Sequence, residues 1–122
     1  ELILQPQSDL PHFRHFLSEI GWEIVREEMI KEDGKFYPMM KAVRNNSGKK
    51  TVYTEEEAWF GPLLLEKRHP VLKEYLLREE MIRKKILAGL SGAESVSAKT
   101  RLAEVKEEME LIHTALKRYE SI

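Results

Sequence analysis

Leu2-Ile3-Leu4 is an unbroken apolar run closed by Pro6, the pattern of a short strand buried on both faces. Apolar positions then recur at helical spacing, with Phe13, Phe16, Leu17 and Ile20 at i, i+3, i+4 and i+7. Ser8 or Asp9 can accept the orphan N–H groups of that helix, Pro11 suits its first turn, and Gly21 ends it. Trp22 to Ile30 and Phe36 to Val43 read as two strands. Glu32-Asp33-Gly34-Lys35 joins them, since Asp-Gly takes the positive φ angles of a tight hairpin. Pro38 has no N–H to donate, so it belongs at a bulge or at a position outside the hydrogen-bond ladder.

Beyond Arg44 the pattern changes. Asn45-Asn46-Ser47-Gly48-Lys49-Lys50 has no apolar residue and reads as an exposed connection. Thr54-Glu55-Glu56-Glu57 is a capping-box pattern that opens a short helix, and Phe60-Gly61-Pro62 bends the chain sharply after it. Pro70 starts a longer helix with Leu72, Tyr75, Leu76, Ile82 and Ile86 on one face and Glu79 as a polar mark on the stripe. Gly89 and Ser91-Gly92 interrupt it. From about Ser97 a last helix carries Leu102, Val105, Met109, Ile112, Leu116 and Tyr119 at alternating spacings of 3 and 4, a heptad stripe. The short loop between these two helices predicts an antiparallel hairpin. Three segments follow: 1–44 as strand, helix and β-hairpin, 45–66 as linker and short helix, and 67–122 as a helical coiled coil.

Composition narrows the chemistry. At 122 residues, with 42% hydrophobic and 34% charged, the chain is about one domain in size and too apolar for disorder. No apolar run approaches the roughly 20 residues of a membrane-spanning helix. With no cysteine, disulfides, cysteine-ligated zinc, iron–sulfur clusters and thiol catalysis are excluded, which fits a reducing compartment. His12 and His15 stand at i, i+3 with Glu19 nearby, and the ordinary reading is exposed helix residues rather than metal ligands. Glu27 and Glu28 point to opposite faces of a strand, and Glu55 to Glu57 open a helix, so both groups read as solvated or capping. No glycine-rich loop or nucleophile motif is present, and no catalytic residue is assigned.

The formal net charge of −1 hides an uneven distribution. Residues 1–44 are net −2, whereas residues 67–85 are net +4, with Lys67, Arg68, Lys73, Arg78, Arg83, Lys84 and Lys85. Arg83-Lys84-Lys85 lies between Ile82 and Ile86 and is expected to project away from the helix seam. A cationic face of that kind holds phosphates by Coulomb attraction and counterion release. The alternative is a protein-interaction or dimerisation module without nucleic acid.

Three ordered segments carry a resemblance: Leu2-Ile3-Leu4-Gln5-Pro6-Gln7, Glu32-Asp33-Gly34-Lys35-Phe36-Tyr37 and Trp59-Phe60-Gly61-Pro62-Leu63-Leu64. Together they resemble the C-terminal half of the bacterial tRNA (adenine-22-N1)-methyltransferases of the TrmK type. The resemblance implies an α/β fold: the C-terminal part of a class I, Rossmann-like methyltransferase sheet followed by an antiparallel coiled-coil hairpin. It implies S-adenosylmethionine as cofactor, tRNA as partner and a cytoplasmic location. The family's cofactor-binding and catalytic motifs would lie before residue 1, so no activity is expected from residues 1–122 alone. Gln5, Pro6 and Tyr37 are carried over as pocket-edge positions, and Phe60, Gly61 and Pro62 as the domain junction. The seven cations of residues 67–85 are the candidate tRNA contacts. The opening Glu1-Leu2-Ile3-Leu4, with no lead-in, reads as a cut at a strand edge, through which the chain would self-associate.

Overall fold

In a computed structural model the structure describes residues 2–4, 9–46 and 50–120, with the side chain of Leu2 left aside. Its elements are β1 (Leu2–Leu4), α1 (Leu10–Glu19), β2 (Trp22–Glu32), β3 (Lys35–Arg44), α2 (Glu55–Phe60), α3 (Pro62–Glu66), α4 (Pro70–Leu90) and α5 (Val96–Glu120). Two compact units result, Glu1–Leu72 and Lys73–Ile122.

In the first unit the sheet order is β1-β3-β2, and both pairings are antiparallel. β1 and β2 therefore run parallel, with β3 between them. Asp33 and Gly34 both have positive φ, 51° and 76°, as the Asp-Gly hairpin requires. Glu32 pairs with Lys35 beside that two-residue turn, so alternation makes Met29↔Pro38 a pair without ladder hydrogen bonds. Pro38 also lies beyond the stretch of β3 that β1 covers, Met40 to Ala42. Its missing N–H is thus aimed where no bond was required, the second of the two placements the sequence allowed.

α1 covers one sheet face, and there the core forms from Leu17, Ile24, Met40, Ala42, Tyr53 and Ala58, flanked by Leu4, Leu10, Phe13, Trp22 and Leu63. The opposite face carries Ile3, 78% exposed, so β1 is not buried on both faces as its apolar run suggested. The buried arc of α1 is also rotated from the expected one: Arg14, Leu17 and Ser18 are buried, while Phe16 and Ile20 are about half exposed. Asp9 caps the helix through a left-handed backbone, φ 49°, and makes no side-chain cap bond. The capping box at Thr54 forms as expected, Glu57 N–H to Thr54 Oγ1 at 3.2 Å and Thr54 N–H to Glu57 Oε1 at 2.9 Å.

In the second unit α4 and α5 pair antiparallel. Arg83 meets Glu108 and Glu80 meets His113, so one index falls as the other rises. Ser95 opens α5, its Oγ accepting the Ala98 N–H at 3.1 Å. On α5 the heptad stripe holds: Val105, Met109 and Ile112 are buried, with Ala115 beside them. On α4 the seam runs through Leu76, Glu79, Arg83 and Ile86, and Ile82, expected on it, is 39% exposed. The 4-3 spacing from Leu76 places Arg83, not Ile82, on the partner-facing stripe.

Candidate nucleic-acid interface

The Phe60-Gly61-Pro62 junction is built around two charges that the sequence did not mark as internal. Arg14 on α1 and Glu27 on β2 are each 1% exposed, with Arg14 Nη2 3.0 Å and Nε 3.1 Å from Glu27 Oε2. Arg14 Nη1 also donates to the Ala58 carbonyl at 2.7 Å, at the α2 end of the junction. Glu27 Oε1 accepts the Leu63 N–H at 2.8 Å, a carboxylate seated on an orphan donor of α3's first turn. Gly61, at φ +96°, lets the chain turn between the two helices, and a Cβ there would stand 2.7 Å from Glu27 Oε2. Only glycine fits both the angle and the space. Pro62 then opens α3, where its missing N–H is no loss.

β2 explains how a glutamate comes to face inward. The pairing register shifts between Ile24 and Arg26, leaving Val25 as an extra residue in the strand. That bulge reverses the alternation, so Ile24 and Glu27 share the core face and Glu28 takes the other. Glu28 accepts a hydrogen bond from Lys67 Nζ, which also donates to the Glu27 carbonyl at 2.7 Å. The Lys67 bond holds the Glu28 carboxyl below its ordinary pKa, against a smaller opposing push from desolvation. His69 caps α4: its Nδ1 accepts the Val71 N–H at 3.2 Å. Desolvation, then the Lys67 charge, lowers the His69 pKa, which keeps the imidazole in the neutral form that can accept.

The seven candidate cations separate into groups. Lys67 is bound to Glu27 and Glu28, and Arg68 is exposed at a left-handed backbone position, φ 47°. Arg83 does not project away from the seam. It is 14% exposed, 3.1 Å from both Glu79 and Glu108, with Arg101 reaching Glu108 at 3.6 Å from α5. Lys73, Arg78, Lys84 and Lys85 do lie on the exposed side of α4. The acids that offset them in the sequence are turned away: Glu79 serves Arg83 and receives the Tyr75 hydroxyl at 3.4 Å, and Glu80 is 2.9 Å from His113. Tyr75, with its pKa pushed up to about 12 mainly by burial, stays a donor. What remains outward is four cations against Glu74.

Tyr37 sits on the sheet face opposite the core, paired with Ile30, and Gln5 and Pro6 lie outside the described residues. Among the described residues no cluster of three or more histidines or carboxylates is placed to hold a metal ion; His15 faces Glu55 at 3.6 Å. No helix among them is long and apolar enough to cross a membrane.

Known proteins share this architecture. The solved m1A22 tRNA methyltransferase TrmK of B. subtilis superposes with a TM-score of 0.78 at 25% identity, over 93% of this chain and 50% of that one. A Streptococcus pneumoniae protein solved in complex with S-adenosyl-L-methionine gives 0.77 at 23% identity, over 94% of this chain and 46% of that one, a likeness of fold. A Mycoplasma pneumoniae protein, provisionally named a tRNA methyltransferase, is 36% identical over 63 residues, 52% of this chain and 29% of that one. The chain thus spans about half the length of its solved relatives. The family model described as tRNA (adenine(22)-N(1))-methyltransferase, TrmK, matches residues 1–114. With the β1-β3-β2 sheet, the glycine-bent junction and the helical hairpin in the same order, the chain belongs to the TrmK family of Rossmann-like methyltransferases.

Proposed function

We propose that this chain serves an S-adenosylmethionine-dependent tRNA N1-adenine methyltransferase of the cytoplasm. It closes the catalytic sheet and supplies a helical arm that holds tRNA. The observation that carries this reading is the sorting of charge on α4, which leaves Lys73, Arg78, Lys84 and Lys85 outward while Glu79 and Glu80 are engaged at the seam. Phosphate contacts of this kind position a substrate without reading its sequence.

The described residues do not assemble a site for the cofactor. Glu27 and Glu28, the carboxylates beside open depressions on the sheet, are engaged by Arg14 and Lys67, and no glycine-rich turn follows a strand. No step through the cofactor is therefore assigned to these residues, and residues 1–122 alone should not turn over. Gln5, Pro6 and Tyr37 keep their role as pocket-edge positions on the strength of the family pattern.

The test is tRNA binding across a salt series. Lys84→Gln with Lys85→Gln should weaken binding and reduce the slope of log affinity against log salt by about 1–2, since each lost phosphate contact removes roughly 0.7–0.9. Unchanged affinity would sink the arm. A second reading, a dimerisation module, is favoured by Leu77 and Met81, 47% and 54% exposed on α4. A salt-insensitive dimer in sedimentation would support it. Association through the β1 edge would instead vanish when charged residues replace Ile3.

A further inference from the structure

The exposed arc of α4 is more than a cationic face. Lys73 and Lys84 are three turns apart, about 16 Å along the axis, and fall within a few tens of degrees of one another around it. Arg78 and Lys85 are two turns apart, about 10 Å, and line the other side of the same arc. Between these two rails run Leu77 and Met81, about half exposed. Glu74 is the one acid on the arc, and it stands four residues before Arg78, where it trims the charge of one cation. Glu80, at the Lys73–Lys84 border, lies 2.9 Å from His113 and only loosely, at 3.9 Å, from Lys84.

A single strand of phosphates needs one line of cations, and exposed apolar side chains add nothing to it. Two lines with an apolar ridge between them match a different surface. A-form RNA presents a wide, shallow groove bordered by the phosphates of both strands and floored by ribose and base edges. A helix laid there puts one rail on each strand and its apolar ridge on the sugars between. We propose that α4 docks in the shallow groove of a double-stranded RNA stem, with Lys73 and Lys84 on one strand, Arg78 and Lys85 on the other, and Leu77 and Met81 on the groove floor. Recognition is then by duplex shape. This deepens the tRNA-arm reading and rests on it. Arg83, held between Glu79 and Glu108, is a positioning residue that fixes the rotation of α4.

The experiment uses the protein that carries this chain, with three probes: a tRNA transcript, a short blunt RNA duplex, and a single-stranded RNA of equal length. Duplex should bind at least tenfold more tightly than single strand at moderate salt. Leu77→Ser with Met81→Ser should lower duplex affinity about fivefold while leaving the salt slope unchanged, because no phosphate contact is lost. Lys73→Gln with Lys84→Gln should lower the slope instead. Circular dichroism controls for folding, and both apolar positions already face solvent. If no probe binds in a salt-sensitive way, the tRNA-arm reading itself fails. If tRNA binds but single strand competes as well as duplex, or the Leu77/Met81 variant binds duplex unchanged, the groove proposal is overturned while the arm stands. If that variant converts a dimer to a monomer, the ridge belongs to a second copy, which also overturns it.

Discussion

Two sets of paired charges hold this chain together, and they work under different conditions. Arg14 and Glu27 are 1% exposed, and every contact given for them is made inside the first unit, to each other, to the Ala58 carbonyl and to the Leu63 N–H. Glu79, Arg83 and Glu108 lie at the border of the α4–α5 seam, 14 to 18% exposed, where water still reaches their edges. Removing one partner of the first set leaves a buried charge with nowhere to go. Removing one of the second leaves a carboxylate that solvent can take over. The first set is therefore a structural commitment, whereas the second adjusts register and releases the rest of α4 for other contacts.

Breaking the first set should produce the largest effect. Arg14→Met strands Glu27 and should cost about 3–5 kcal/mol of unfolding free energy, measured by urea titration. Adding Glu27→Leu should recover roughly half, because the Leu63 N–H still loses its acceptor. If the double variant matched the single one, the pair would not be coupled. Gly61→Ala comes next: φ +96° and a Cβ 2.7 Å from Glu27 Oε2 should together cost about 3 kcal/mol. A smaller loss, below about 1 kcal/mol, would mean that the junction yields more readily than its contacts suggest.

At the seam, Arg83→Leu should stay within about 1 kcal/mol of the wild type and leave the salt slope of RNA binding unaltered. A reduced slope would put Arg83 on the RNA after all. The smallest effect is one of pH. His69 titrates below its ordinary 6.5 in the folded chain, so the unfolded chain takes the proton first. Stability is full above pH 6.5 and declines as pH falls below it, with Glu28 adding a second decline below 4.5 as its carboxylate is protonated. His69→Ala should abolish the first decline in a melting series while keeping the second.

The elements were legible where the signal was local. Asp33-Gly34, the Thr54 capping box and the α5 heptad each report on residues within one turn of themselves, and each formed where its pattern placed it. Glu27 was illegible for a physical reason. Strict alternation from Ile24 turns it outward, and only the extra residue at Val25 turns it in; a bulge depends on the partner strand's register, which no local pattern contains. Arg14 was hidden because a polar residue on an apolar arc usually means the arc ends there. Here Leu10, Phe13 and Leu17 surround it, a rotation of the arc that Phe16 and Ile20 disguised. Arg83 was misplaced by trusting Ile82, when the 4-3 rhythm from Leu76 pointed one residue further. Of the candidate RNA contacts, residue type was readable but availability was not, since availability depends on which acids the other helix engages.

That last dependence gives α4 an unusual property. Detached from α5, its glutamates and cations would mix freely along one flexible helix, and a polyanion would meet a weakly positive, unpolarised peptide. Folding leaves the amount of charge the same and gives it a direction, because Arg83 and His113 occupy Glu79 and Glu80 from the seam side. The attraction for phosphate is thus conditional on the hairpin being closed. A damaged or half-folded arm would lose its hold on RNA before it lost a single lysine.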